Sequence, residues 1–380
     1  MPEAKGPLDG VRVLDLCEFI FGPYATQVLG DLGADVIKVE NPGGDRQRGG
    51  TKFAKNENMG SIFMSLNRNK RSVIMDLKTD EGRERLKKLI PTAQVFIHNV
   101  REDAMARLGF SYEEVKALNP SIVYVHCVGY GSDGPYAGRQ AFDDLVQAAS
   151  GTADLLPKVD GNPDMRLMPS FVADKVSSMH ALWATLAALY HQKATGEGQH
   201  VEVPMFESFT SFMLVEHLYG ETFEPPVGRM GHTPALAYDR RPLKCKDGWI
   251  CIQPVSRAAS AKFLELGGIP NAYESDRFVN APKGGKVAVY YEMLREAAAA
   301  HTVDDWMRLG DENRIPIMRA NTLDGVLDDP HMKAVDFFQV REHPSEGKWR
   351  AMKPPVKFSK TPATIRREPP LPGQDGDEIG

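Results

Sequence analysis

Residues 11–40 read VRVLDLCEFIFGPYATQVLGDLGADVIKVE. The runs Val11–Leu16 and Asp35–Glu40 are short and rich in Val, Leu and Ile, as strands buried on both faces are. Between them Tyr24–Leu32 carries a helical pattern that Gly33 stops. That is one βαβ unit, and the same texture continues outward. Ser72–Leu77 (SVIMDL) reads as a third strand, followed by a charged helix over Asp80–Ile90. Gln94–Val100 (QVFIHNV) and Ile122–Val128 (IVYVHCV) are two more strands, and Ser111 with Glu114 forms a capping box that opens a short helix between them. Strands alternating with helices imply an α/β fold around a parallel sheet with right-handed crossovers.

Phe142–Ala149 and Lys175–Ala194 read as helices, the second ended by Thr195-Gly196. A strand over His200–Val203 and an apolar helix over Phe206–Tyr219 follow. Near Phe223 the texture changes: Pro225, Pro226, Gly228 and Gly231 mark a linker. Beyond it come a hairpin at Leu243–Gln253 turning at Asp247-Gly248, and helices around Ala258–Leu266, Lys286–Ala300 and Val303–Leu309. The expected division is a large domain over 1–224, a small domain over 225–330 and a C-terminal segment over 331–380, its last residues, Gly373–Gly380, frayed.

Of 380 residues, 42% are apolar and 26% charged, enough for a large core without disulfide or metal staples. With 46 Lys plus Arg against 51 Asp plus Glu the net charge is −5, a poor footprint for nucleic acid. The longest apolar stretch, Ala181 to Tyr190, is too short for a bilayer, and MPEAKGPLDG has no apolar run of the signal-peptide kind. Cys17, Cys127, Cys245 and Cys251 form no CxxC pair and have no histidines at zinc spacing, so they read as reduced thiols of a cytoplasmic protein with no metal.

Gly129-Tyr-Gly-Ser-Asp-Gly134 matches GxGxxG after a strand, but Pro135 follows at once and the next helix starts only near Phe142. A pyrophosphate needs the helix to open within the motif, so the NAD reading is set aside. No Walker motif is present. Lys78, Asn99, Arg101, Arg107 and Arg139 fall at or after the carboxyl ends of strands, where they line a phosphate-binding crevice or simply face solvent. Asp174 precedes the long apolar helix and reads either as its N-cap or as a nucleophile at the mouth of a cleft. Ser177, Ser178 and His180 lie close by, but no G-x-S-x-G elbow supports a hydrolase.

Several blocks in order carry a resemblance. They are Pro7–Asp15 with Gly22-Pro23, Leu32–Glu40, Asn69–Ser72 with Asp76–Thr79, Gly129–Gly131 with Gly134–Tyr136, Ala141–Asp143 with Gln147-Ala148, and Asp174 with Thr195–Gln199. Together they make the chain similar to the class III CoA-transferases, the CaiB/BaiF family. The resemblance implies a Rossmann-like large domain, a smaller α+β domain, a C-terminal segment returning to the large one, and two chains interlocked as a homodimer. It implies coenzyme A and acyl-CoA as substrates, with a carboxylic acid as acceptor and no tightly bound cofactor. Asp174 matches the family's catalytic aspartate. Lys78, Asn99 and Arg107 match residues that contact CoA in relatives, Met75 and Val100 stand where relatives pack on the adenine, and Phe19, Ile20 and Phe21 occupy the pantetheine-contacting loop. Arg101, Arg139, Gln140 and Phe142 are expected to contact CoA as well, Gln140 standing where some members have a lysine. Related racemases use a histidine where Phe142 stands, and phenylalanine moves no proton, so transferase is favoured over racemase, and also over a non-catalytic CoA-binding protein, which has no need of Asp174. Arg229, His232, Arg240 and Arg241 either bind a dicarboxylate or face solvent.

Overall fold

A computed structural model describes residues 6–49, 54–56, 58–283 and 285–379; the signal-peptide reading of residues 1–5 lies outside them. The chain forms two compact units. One holds residues up to Pro157, Asn162–Gly228 and everything from Asp336 onward; the other holds Lys158–Gly161 and Arg229–Val335.

The first unit is built on six strands: β1 Arg12–Leu16, β2 Asp35–Glu40, β3 Lys70–Ile74, β4 Val95–His98, β5 Val123–Val128 and β6 Gln199–Pro204. All pair in parallel, in the order β3-β2-β1-β4-β5-β6. Successive residues of a strand face opposite sides of the sheet. Val13, Val36, Val95 and Val125 join one core, against the helices Pro23–Asp31 and Val172–Thr195. Leu14, Ile37, Phe96 and Tyr124 join the other, against Asp80–Leu89 and Tyr112–Leu118. Both faces are therefore buried, which is why the strands read as continuous apolar runs. The Ser111–Glu114 capping box is formed.

Two expectations fail for identifiable reasons. The third strand runs over Lys70–Ile74 rather than Ser72–Leu77. Its start hides behind charged residues that are in fact buried: Lys70 Nζ reaches Asp15 at 3.0 Å, Asn67 Oδ1 at 2.8 Å and the Pro23 carbonyl at 3.0 Å. The C-terminal end is not frayed as far as Ile379. Asp375 accepts the Ser72 N–H at 2.9 Å and donates its own N–H to the Ser72 carbonyl at 2.9 Å, covering the open edge of β3.

The second unit carries a three-stranded antiparallel sheet, Leu243–Lys244, Trp249–Ile252 and Ile317–Arg319. The helices Arg257–Leu266, Lys286–Ala298 and Val303–Asn313 complete it, with Phe263 stacked on Trp306 at 4.3 Å. Among the described residues no helix is long and apolar enough to cross a membrane.

Candidate active site

The strand order reverses between β1 and β4, and in open parallel sheets a crevice forms outside the carboxyl ends at that point. A cleft of about 940 Å³ opens there. Its lining includes Asp174, Phe19, Ile20, Phe21, Asn99, Val100, Arg101, Arg139, Gln140 and Phe142.

Asp174 lies inside the first turn of the Val172–Thr195 helix, and Phe171 occupies the N-cap position, so Asp174 is not the cap. Phe171 has no side-chain acceptor, and Asp143 supplies one from the neighbouring helix Asp143–Ala149. Its Oδ1 accepts the Asp174 backbone N–H at 3.0 Å, and Gln147 Nε2 donates to its Oδ2 at 2.5 Å. Gln147 Oε1 in turn accepts the Met168 N–H at 2.8 Å, fixing the approach to the helix. The half-buried Asp174 carboxyl is pushed up to about 7 by burial first and by the Asp143 charge second, with the Phe21 backbone opposing the rise.

The loop after β1 faces this carboxyl and is held at nearly every residue. Lys38 Nζ takes the Cys17 carbonyl at 2.7 Å. Asn99 donates to the carbonyls of Glu18 and Phe21 at 2.8 and 2.9 Å and accepts the Glu18 N–H at 3.0 Å. Ser178 donates to the Ile20 carbonyl at 3.3 Å. Asn99 is thus a clamp on the loop, with little hydrogen-bonding capacity left for a ligand. Phe19 sits at φ 67°, a conformation that bulky residues avoid unless their surroundings impose it.

Three expected residues are elsewhere. Met75 is 2% exposed and belongs to the core with Val73 and Leu86, so it cannot pack on an adenine. Lys78 is exposed beyond the end of β3, two strands from the β1–β4 opening, and does not border the cleft. Arg107 does not border it either; it is exposed and pairs with Asp103 at 2.7 Å one helical turn back. Arg46, Phe171 and Glu202 line the cleft without having been expected there, and so does Tyr130 of the glycine loop. Arg46 had a signal in the basic Arg46-Gln-Arg48 run after β2, and Tyr130 in the glycine motif that contains it. In the glycine loop the amides are already spent: Gly131 N–H donates to Glu207 at 2.9 Å and Ser132 N–H to Glu202 at 3.0 Å. The next helix begins at Asp143. No pyrophosphate cradle of the NAD type exists there.

Fold and cleft together define an α/β protein with a nucleotide-type crevice and, inside it, the Asp174 carboxyl held well above its usual range. CoA-transferase family III matches residues 8–376. The chain is 31% identical to the succinate–glutarate CoA-transferase of Agrobacterium fabrum, over 100% of this chain and 96% of that one. It is 28% identical to the human succinyl-CoA:glutarate CoA-transferase, over 98% and 85%. A CaiB/BaiF family protein from Brucella suis superimposes with a TM-score of 0.85 at 28% identity, covering 99% of each chain. The chain belongs to CoA-transferase family III and is an enzyme of that class, as its ordered motifs implied.

Proposed function

We propose that this enzyme moves CoA from an acyl-CoA to a carboxylic acid with Asp174 as the covalent carrier. The observation that carries the reading is the half-buried Asp174 carboxyl in the cleft, made more basic by burial and by Asp143. An Asp174 oxygen attacks the thioester carbonyl; the C–S bond breaks and the CoA thiolate leaves with its electron pair, giving a mixed anhydride. The thiolate then attacks the Asp174 carboxyl carbon and expels the donor acid as its carboxylate, leaving an aspartyl-CoA thioester. The acceptor carboxylate displaces CoA from that carbon, and the thiolate takes the new acyl group and frees Asp174. Each step exchanges one acyl bond for another, so no water or net proton is needed. The Phe21 backbone, which opposes the rise of the Asp174 carboxyl, would steady the oxyanions through its N–H. Arg101 and Arg139 take phosphates of CoA, while Phe19, Ile20, Phe21 and Val100 meet its less polar parts.

Trapping with hydroxylamine during turnover, followed by peptide mass spectrometry, is expected to place a hydroxamate on Asp174. An adduct confined to another residue sinks the reading.

The same reading holds two interlocked chains to be the working unit. Tyr190 and Val215, 79% and 82% exposed on the two long helices of the first unit, are an apolar surface that a second copy would cover. Sedimentation as a monomer would count against it.

Asp143 tunes the nucleophile. Ionisation of Asp174 governs kcat/KM for the acyl-CoA, which rises with pH through about 7. Asp143→Asn removes the repelling charge and keeps an oxygen to accept the Asp174 N–H, so the midpoint is expected to fall by about one pH unit. An unmoved midpoint would deny Asp143 this role.

A further inference from the structure

We infer, resting on Asp174 as the acyl carrier, that the acyl group loaded there is that of an apolar monocarboxylic acid and not of a dicarboxylic one. The first support is the lining. Phe19 and Phe142 meet edge to face at 6.4 Å, and Phe142 and Phe171 are 52% and 50% exposed along the cleft that holds Asp174. Half-exposed aromatic rings in a concave site offer surface that only an apolar ligand covers with gain.

The second support is charge. Among the described residues the cleft is lined by seven carboxylates and three arginines, Arg46, Arg101 and Arg139. Arg46 is 3.7 Å from Glu18, Arg101 is 3.6 Å from Asp103, and Arg139 lies over the Tyr136 ring at 4.6 Å. The diphosphate and 3′-phosphate of CoA bring about four negative charges, enough to occupy all three guanidiniums. A second carboxylate on the acyl chain would then lie near Asp143 and Asp174 with no unshared cation among the described residues that line the cleft. A methyl, branched or phenyl terminus meets the aromatic rings instead.

The test uses the full chain with acetyl-, butyryl-, phenylacetyl-, succinyl- and glutaryl-CoA, reading the first-order rate of hydroxylamine-trapped label on Asp174 together with CoA release. The rate constant per concentration is expected to rise about fourfold per methylene from acetyl to butyryl. Phenylacetyl-CoA is expected to exceed succinyl-CoA at least tenfold. Phe142→Arg supplies the missing cation at a half-exposed position, and should raise the succinyl-to-butyryl ratio at least tenfold. Succinyl- or glutaryl-CoA labelling Asp174 faster than butyryl-CoA overturns the inference and leaves the carrier role intact. An unchanged ratio in Phe142→Arg overturns the placement of the acyl group against Phe142. CoA release without label on Asp174 from any donor overturns the carrier role, and this inference with it.

Discussion

Asp174→Asn is expected to lower CoA transfer by on the order of 10⁴-fold or more, because an amide cannot form the anhydride or the thioester. The same substitution is expected to stabilise the protein. Burial and Asp143 raise the Asp174 carboxyl to about 7, so the folded state keeps a proton that the unfolded chain has already released at pH 5 or 6. The folded state therefore loses stability as pH rises from the ordinary carboxyl range through about 7, and above that it carries the full cost of an ionised, half-buried group. Allowing for its partial exposure, that cost is about 2–3 kcal/mol at pH 8. The variant should gain this amount at pH 8 and almost nothing at pH 4, read as a shift in the denaturant midpoint. A gain that does not grow with pH would show that the carboxylate is not strained in the fold, and would remove the argument that its basicity is built in.

Asp15→Asn is expected to be the most damaging single substitution beneath the site. Asp15 is fully buried on β1, where Oδ2 takes Thr26 Oγ1 at 2.6 Å and Lys70 Nζ at 3.0 Å, and Oδ1 takes the Cys17 N–H at 2.9 Å. Burial alone would raise its carboxyl; the Lys70 and Lys38 charges with the Thr26 hydroxyl overcome that and hold it at about 2. Burial pulls Lys70 down to about 8, against the Asp15 charge, so it is still cationic at neutral pH. Neutralising Asp15 leaves that ammonium buried with neutral acceptors only, a change that costs about 3–5 kcal/mol. The depressed carboxyl sets the pH sense: its contribution is complete above pH 4 and is lost as pH falls toward 2. The gap between wild type and variant in the large unit's urea midpoint should therefore narrow on acidification through that window. A loss below about 1 kcal/mol at pH 7 would mean that Lys70 is satisfied without Asp15.

The parallel sheet was legible because strands buried on both faces leave continuous apolar runs, and β1, β2, β4 and β5 carry them. The start of β3 was not, because Lys70 is a surface residue by type and becomes a core residue only through partners at positions 15, 23 and 67. The long helix starts at Val172, three residues before the Lys175 that its apolar pattern marks, and that first turn decides that Asp174 is not a cap but stands inside the cleft. The ordered motifs named the family and pointed to Asp174, and the comparisons uphold the family.

Sequence alone determined the α/β class and the βαβ succession, which rest on period and residue type, and the family, which rests on the resemblance of its ordered motifs. Only the tertiary structure decided which polar residues serve the cleft. Asn99 turns out to clamp the loop after β1, Asp143 to hold the helix that bears Asp174, and Lys78 and Arg107 to lie apart from both. A side chain's type states what bonds it can make; which bonds it does make depends on groups that strand order brings within 3 Å from distant parts of the chain.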